Sequence, residues 1–252
     1  MELLSKHREI ERGAGELNRE SLEFDPDKLI EPGAPEPESA LSDPEYVAEE
    51  VEGLSLTNQE MRILDNGNTL YDSPNETGKL LNSEQGRAVP DIQGDCGLVS
   101  CENIARMAGK NVTEADVIRI AREGGLCLDG CRNPADNGGT TLADICEVLK
   151  RLGIESSLLV GPDPKSLADA VASGRGVIVG VEVSEFWNNF PYEGDHAIVL
   201  TSVERNPFGK PIAFYVCDSG SGEDDSARRV DSDTMERSLD GGPAIVTAKP
   251  IR

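Results

Sequence analysis

The stretch Ile92-Gln93-Gly94-Asp95-Cys96-Gly97-Leu98-Val99-Ser100-Cys101-Glu102-Asn103-Ile104-Ala105-Arg106-Met107 constrains the chain most. A Gly-Asp turn leads into apolar positions at helical spacing, Leu98, Cys101, Ile104, Ala105 and Ala108, so a helix starting at Cys96 buries one stripe. Asp95 is the candidate N-cap, and Gly94 and Gly97 remove side chains around the sulfur. A thiol in a first helical turn meets unpaired N–H groups and the positive end of the helix dipole, which favour thiolate over thiol. The ordinary alternative is a structural cysteine, because free Cys packs as a small hydrophobe.

Further elements follow in order. Thr113-Glu114-Ala115-Asp116 reads as a capping box opening a second helix that ends at Gly124-Gly125. After a Gly/Cys/Asn-rich loop from Leu126 to Gly139, Thr141 and Asp144 open a third, with Leu142, Ile145, Val148, Leu149 and Leu152 at helical spacing. The period then changes. Strands are predicted at Ser156 to Val160, Gly176 to Val183, His196 to Val203, Ile212 to Asp218 and Ala244 to Ala248, with helices at Pro164 to Ser173 and Ser232 to Leu239. Helices first and an antiparallel sheet second predict an α+β domain with its site in the cleft between them.

Residues 1–54 form an acidic connector, with Glu31-Pro32-Gly33-Ala34-Pro35-Glu36-Pro37-Glu38 at its centre and too little apolar surface to offset chain entropy. The folded domain is expected over 55–252, with Leu54 to Val89 as a turn-rich entry segment. Lys+Arg number 24 against 47 Asp+Glu, a formal charge of -23, so phosphate backbones and anionic membranes would be repelled. Neither a nucleic-acid partner nor a membrane is expected. No apolar run approaches the roughly 20 residues of a bilayer span, and the start of the chain is charged at once, unlike a signal peptide. Cytoplasmic synthesis follows, with export only by a route that needs no cleavable signal. Six cysteines in 252 residues do not make a disulfide scaffold.

Of two histidines, His7 lies in the acidic connector, so His196 is the one realistic general base of the domain. Asp195 is its sequence neighbour, but adjacent strand residues point to opposite faces. Asp218, at the end of the next strand, returns beside His196 if the two strands form a hairpin. The chemistry then assigns roles: Cys96 attacks a carbonyl carbon, His196 moves the proton and Asp218 holds the imidazole. The Cys96 N–H and the Gln93 side-chain amide would serve the oxyanion.

Gln93, Cys96-Gly97, Gly194-Asp195-His196-Ala197-Ile198-Val199-Leu200 and Tyr215-Val216-Cys217-Asp218-Ser219-Gly220, in that order, resemble the papain-like cysteine peptidase superfamily. Within it, the chain looks most like the bacteriocin-leader-peptidase-like branch and the papain-like domains of bacterial toxins and effectors. The resemblance covers residues 60–252. It implies a papain-like fold and a thiol protease that cleaves a protein, with Gln93 in the oxyanion hole, Cys96 as nucleophile, His196 as base and Asp218 as orienter. Gln93 stands closer to the cysteine than is usual in these enzymes. The toxin reading also implies a cognate inhibitor (immunity) protein and a secretion-system carrier engaged through the N-terminal segment.

No cofactor is expected. Cys127 and Cys131, with Cys101 and Cys146, lack the paired Cys/His spacing of a structural zinc site, so no metal is expected either. Trp187 reads as a core-edge aromatic, or else a wall of the cleft. Gly222-Glu223-Asp224-Asp225 reads as a solvated loop. The same catalytic groups would also suit a glutamine deamidase or transglutaminase, and an inactive papain-like binding module is the third reading.

Overall fold

The structure, a computed structural model, describes residues 60–72, 83–187, 194–220 and 228–251. All fall in the second of the two units into which the chain divides, Thr57–Arg252. The acidic connector over 1–54 and the loop Gly222-Glu223-Asp224-Asp225 lie outside the described residues.

The described strands are β1 (Glu60–Ile63), β2 (Thr69–Asp72), β3 (Ser156–Leu159), β4 (Val177–Glu182), β5 (Asp195–Arg205), β6 (Pro211–Cys217), β7 (Arg228–Asp231) and β8 (Ala244–Thr247). They form one antiparallel sheet in the order β1-β2-β5-β4-β8-β3, with β6 paired to β5 and β7 to β6. The α-helices are α1 (Cys96–Met107), α2 (Glu114–Gly124), α3 (Leu142–Arg151), α4 (Pro164–Ala172), α5 (Val183–Phe186) and α6 (Ser232–Ser238). The fold is α+β, as the change of period in the sequence predicts.

Side-chain alternation along β4 and β5 divides the core between two faces of the sheet. Ile178 and Val199 join Leu98, Cys101 and Ile104 of α1 and the apolar stripes of α2 and α3. Val177, Val179, Val181, Ile198 and Leu200 face the other way, onto Leu167, Ala168 and Val171 of α4 and Met235 of α6. Because both faces are covered, these strands read as nearly unbroken apolar runs. What the sequence reading did not give is a pair of strands in the turn-rich entry segment. The β1-β2 hairpin precedes the helices yet joins β5, and α4 and α6 supply a layer behind the sheet.

Helix α1 is the central element, buried along Gly97–Ala105 and again at Met107. Fully buried Leu98 and Ile104 each contribute about 1.5–3 kcal/mol by leaving water. The expected capping boxes are present on α2, where Thr113 and Asp116 exchange bonds, and on α3, through Thr141 and Asp144. Asp95 occupies the N-cap position of α1 but makes no side-chain cap bond. Its Oδ1 accepts from the Gly86 amide instead, at 3.0 Å, a correction to the role expected of it.

Candidate active site

The approach to Cys96 is fixed from outside α1. In the turn before the helix, the Gln93 amide donates to Pro134 O at 3.0 Å and the Gly94 amide to Asn137 O at 2.9 Å. Asn137, only 2 % exposed, donates from Nδ2 to Asp91 O at 2.8 Å and accepts the Cys131 amide on Oδ1 at 2.8 Å. The Gly/Cys/Asn-rich loop is thus the strut that holds the turn before Cys96. Both small residues beside the thiol serve this packing. A Cβ at Gly94 would stand 2.5 Å from Ala135 O, and one at Gly97 would overlap Thr140 Oγ1 at the entry to α3. Helix α1 can therefore approach these neighbours closely, with Cys96 as a whole residue left half-buried at its start.

The thiol meets the start of β5. Ser100, one turn along α1, donates to Ala197 O at 3.4 Å, and Cys96 hydrogen-bonds His196 and the Ala197 main chain. Burial alone would raise the thiol's pKa. The hydrogen bond and charge of His196, with the Ala197 bond, outweigh burial and draw Cys96 below its ordinary value. Burial likewise opposes the imidazolium, but the hydrogen bonds to Asp218 and Cys96 prevail, and His196 is raised to about 9. Together these shifts favour a thiolate–imidazolium pair.

Asp218 completes the chain of contacts. The pairing of Val199 with Cys217 carries the end of β6 back alongside the start of β5, as a hairpin requires. His196 Nε2 and Asp218 Oδ1 are 2.8 Å apart, which leaves the other ring nitrogen for Cys96. The carboxylate is almost sealed from solvent, with a side-chain exposure of 0 %. The Gly220 amide also donates to Oδ1, at 3.0 Å, while Trp187 Nε1 and Arg228 Nη2 donate to Oδ2 at 2.7 and 3.1 Å. Burial would raise its pKa, but the His196 hydrogen bond and charge, with Trp187 and Gly220, bring it below the ordinary carboxylate value. Asp218 stays ionised at neutral pH.

The remaining expected residue stands apart from this chain of contacts. Gln93 is held through its main chain, and its carbonyl accepts Gln85 Nε2 at 3.2 Å. Gln85, which sequence reasoning passed over, links both sides of the site: its amide donates to Ser219 O at 3.1 Å and its Oε1 accepts Ser219 Oγ at 3.3 Å. Trp187 is a core-edge aromatic, packed against the second apolar cluster, and it also reaches the site. Its ring lies 5.4 Å from that of His196 while its N–H is spent on Asp218. Arg228 was also missed, and an arginine beyond an acidic loop carries no pattern that marks it.

Next to Cys96 in the chain, buried Asp95 is close enough to Glu114 of α2 to feel its charge. Burial and the neighbouring Glu114 push Asp95 up to about 7, far above the ordinary carboxylate range. Glu114 and Glu102 also line a surface cavity of about 420 Å³ with Ser83 and Arg87, and that cavity includes neither Cys96 nor His196. Among the described residues no group of three or more His, Cys, Asp or Glu could hold a metal ion. Cys101 is driven up by burial and is an inert thiol. Among the same residues no helix is long and apolar enough to cross a membrane.

No protein-family model matches the chain, and no curated protein matches it. Several solved structures are similar to it. A putative C39-like peptidase from Bacillus anthracis aligns at 18% identity over 69% of this chain and 97% of its own, with a TM-score of 0.45. The peptidase domain of Streptococcus ComA, a bifunctional ABC transporter involved in a quorum-sensing pathway, aligns at 18% identity over 67% and 98%, with a TM-score of 0.44. The ragweed pollen allergen Amb a 11, a cysteine protease in its proform, aligns at 15% identity over 75% and 66%, with a TM-score of 0.41.

Proposed function

We propose that the chain is a papain-like cysteine peptidase that cleaves a protein substrate with Cys96 as nucleophile, His196 as general base and acid, and Asp218 as the orienting carboxylate. The observation that carries this reading is the continuous hydrogen-bonded path from a thiol at the start of α1 through His196 to a sealed carboxylate. Nothing in simple packing calls for a thiol with a lowered pKa facing an imidazole with a raised one.

The chemistry follows from these positions. Cys96 Sγ, as thiolate, forms a bond to the scissile carbonyl carbon, and the carbonyl electron pair moves onto oxygen. Asp95 leaves the first-turn amides of α1 without a side-chain cap, so the Cys96 N–H is suited to receive that oxyanion, with the Gln93 side-chain amide as second donor. The intermediate collapses as the His196 imidazolium gives its proton to the departing amine nitrogen. The C–N bond breaks and a thioester remains. Neutral His196 then takes a proton from water, whose oxygen attacks the thioester carbon and releases the acid and the thiol. Asp218 keeps the ring in place throughout and stabilises its charged form.

The bacterial toxin or effector role belongs to the same proposal, supported by the sequence resemblance. So do a cognate inhibitor protein and a carrier that engages the acidic segment 1–54. Expression of the parent and of Cys96→Ala in a host cell, followed by proteome-wide comparison of new N-termini, tests the reading. Termini that appear only with the parent support it. A one-dalton change at a glutamine without a new terminus would replace peptidase by deamidase, and identical proteomes would reject both. Gln93→Ala should slow cleavage about 10²-fold if its amide serves the oxyanion. An unchanged rate would remove it from the site.

A further inference from the structure

Arg228, at the start of β7, reaches the site through Asp218. Its Nη2 is 3.1 Å from Asp218 Oδ2, the oxygen that His196 does not use. The guanidinium lies over the Phe186 ring at 4.5 Å from the centroid, and the side chain is 29% exposed. A planar cation stacked on an aromatic face and directed at a sealed carboxylate is a fixed arrangement, unlike a long side chain free in solvent. Asp218 therefore stands between two cations whenever His196 is protonated.

We propose that Arg228 is a positioning residue that acts on His196 through Asp218: it holds the second carboxylate oxygen and takes a share of the carboxylate's charge, leaving the imidazolium less firmly held. This rests on the catalytic reading of Cys96, His196 and Asp218. A base clamped too tightly by its carboxylate is slow to release its proton to the departing amine, and a second cation on that carboxylate offsets the clamp.

Among the described residues, the groups packed around this path are few. His196 is faced by Cys96 of α1 and by Asp218 at the end of β6, and Cys96 also feels the charge of Asp95. Asp218 is faced by His196, Arg228, the Gly220 amide and the uncharged indole of Trp187. With Arg228 replaced, Trp187 and Gly220 still hold one oxygen each. Orientation is retained while the positive charge is lost.

Two histidines in the chain make the test direct, because a nitrogen-detected NMR titration of the full chain shows two rings, and a His7→Gln variant assigns them. Arg228→Met should move the His196 midpoint upward by about half a pH unit or more, since a neighbouring positive charge is gone. Arg228→Lys, which keeps the charge, should leave the midpoint near that of the parent. Thermal unfolding of each variant confirms that the domain is intact. A midpoint that is unmoved or lowered in Arg228→Met, or raised equally in Arg228→Lys, overturns the inference. Failure of the underlying reading looks different: His196 of the parent then titrates near the ordinary histidine value, and the inference falls with it.

Discussion

The indole of Trp187 lies 5.4 Å from the imidazole of His196, centroid to centroid, with the ring planes tilted by 45°. Trp187 is the sole tryptophan of the chain, so its emission reports on one ring only. An imidazolium quenches a neighbouring indole more than a neutral imidazole does. Fluorescence should therefore rise with pH through a midpoint near 9, the value to which Asp218 and Cys96 lift His196. Asp218→Asn keeps the carboxylate's shape but not its charge, so the midpoint should fall toward the ordinary histidine range and turnover should drop by about 10²–10⁴-fold. A parent protein with no transition above pH 8 would contradict the ion-paired site.

Gly220 closes the floor beneath the same two rings. A Cβ there would stand 2.9 Å from His196 Cε1, 3.1 Å from Nε2 and 3.1 Å from Trp187 Cη2, tighter than ordinary contacts. Gly220→Ala should push the imidazole off its line to the sulfur and cost about 10²-fold in turnover. The melting temperature should fall by only a few degrees, because the strain falls on the His196 and Trp187 rings and on none of the fully buried residues of either apolar cluster. Full activity in this variant would show that the ring has room it does not need.

Asp95 makes a prediction about stability. Its folded-state pKa is raised to about 7 by burial and Glu114, so the folded state holds a proton that the unfolded chain gives up at lower pH. Stability from this pair is therefore lost as pH rises from about 4 through 7. Asp95→Asn keeps the acceptor for the Gly86 amide and offers Glu114 a donor. Urea unfolding should find the variant more stable than the parent at pH 8, with the gap narrowing at pH 5. Equal destabilisation at both pH values would contradict the raised pKa of Asp95.

The elements legible in the sequence were those whose signals are local and repeated. Thr113 and Asp116, Thr141 and Asp144, and the apolar stripe of α1 each announce a helix before any tertiary contact is known. Strands β4 and β5 show themselves by unbroken apolar runs because both faces are covered. The β1-β2 hairpin does not, since Leu70 is its one buried residue among those whose burial is described, while Met61 and Ile63 stand largely in solvent. It is anchored by polar contacts instead, with Asn66 and Asn68 both donating to buried Glu204 of β5.

The contact of Cys96, His196 and Asp218 was legible because scarcity and strand order single these residues out. Their supports could not. Gln85, Trp187 and Arg228 act through long-range hydrogen bonds to atoms 8 to 134 positions away, and no periodicity encodes such bonds. Asp95 has the residue type and place of a helix cap, yet its side chain turns to Gly86. A second partner close in space, absent from the local pattern, decides its role.

The most direct test of the account is the pH dependence of Cys96 alkylation by iodoacetamide, read by mass spectrometry at the Cys96 peptide so that the other five thiols do not interfere. The account predicts that reactivity sets in below the ordinary thiol range, with a further change near pH 9 as His196 loses its proton, and loss of the low-pH reactivity in His196→Gln. A single rise in the ordinary thiol range, about pH 8.5, unaltered by His196→Gln, would contradict it.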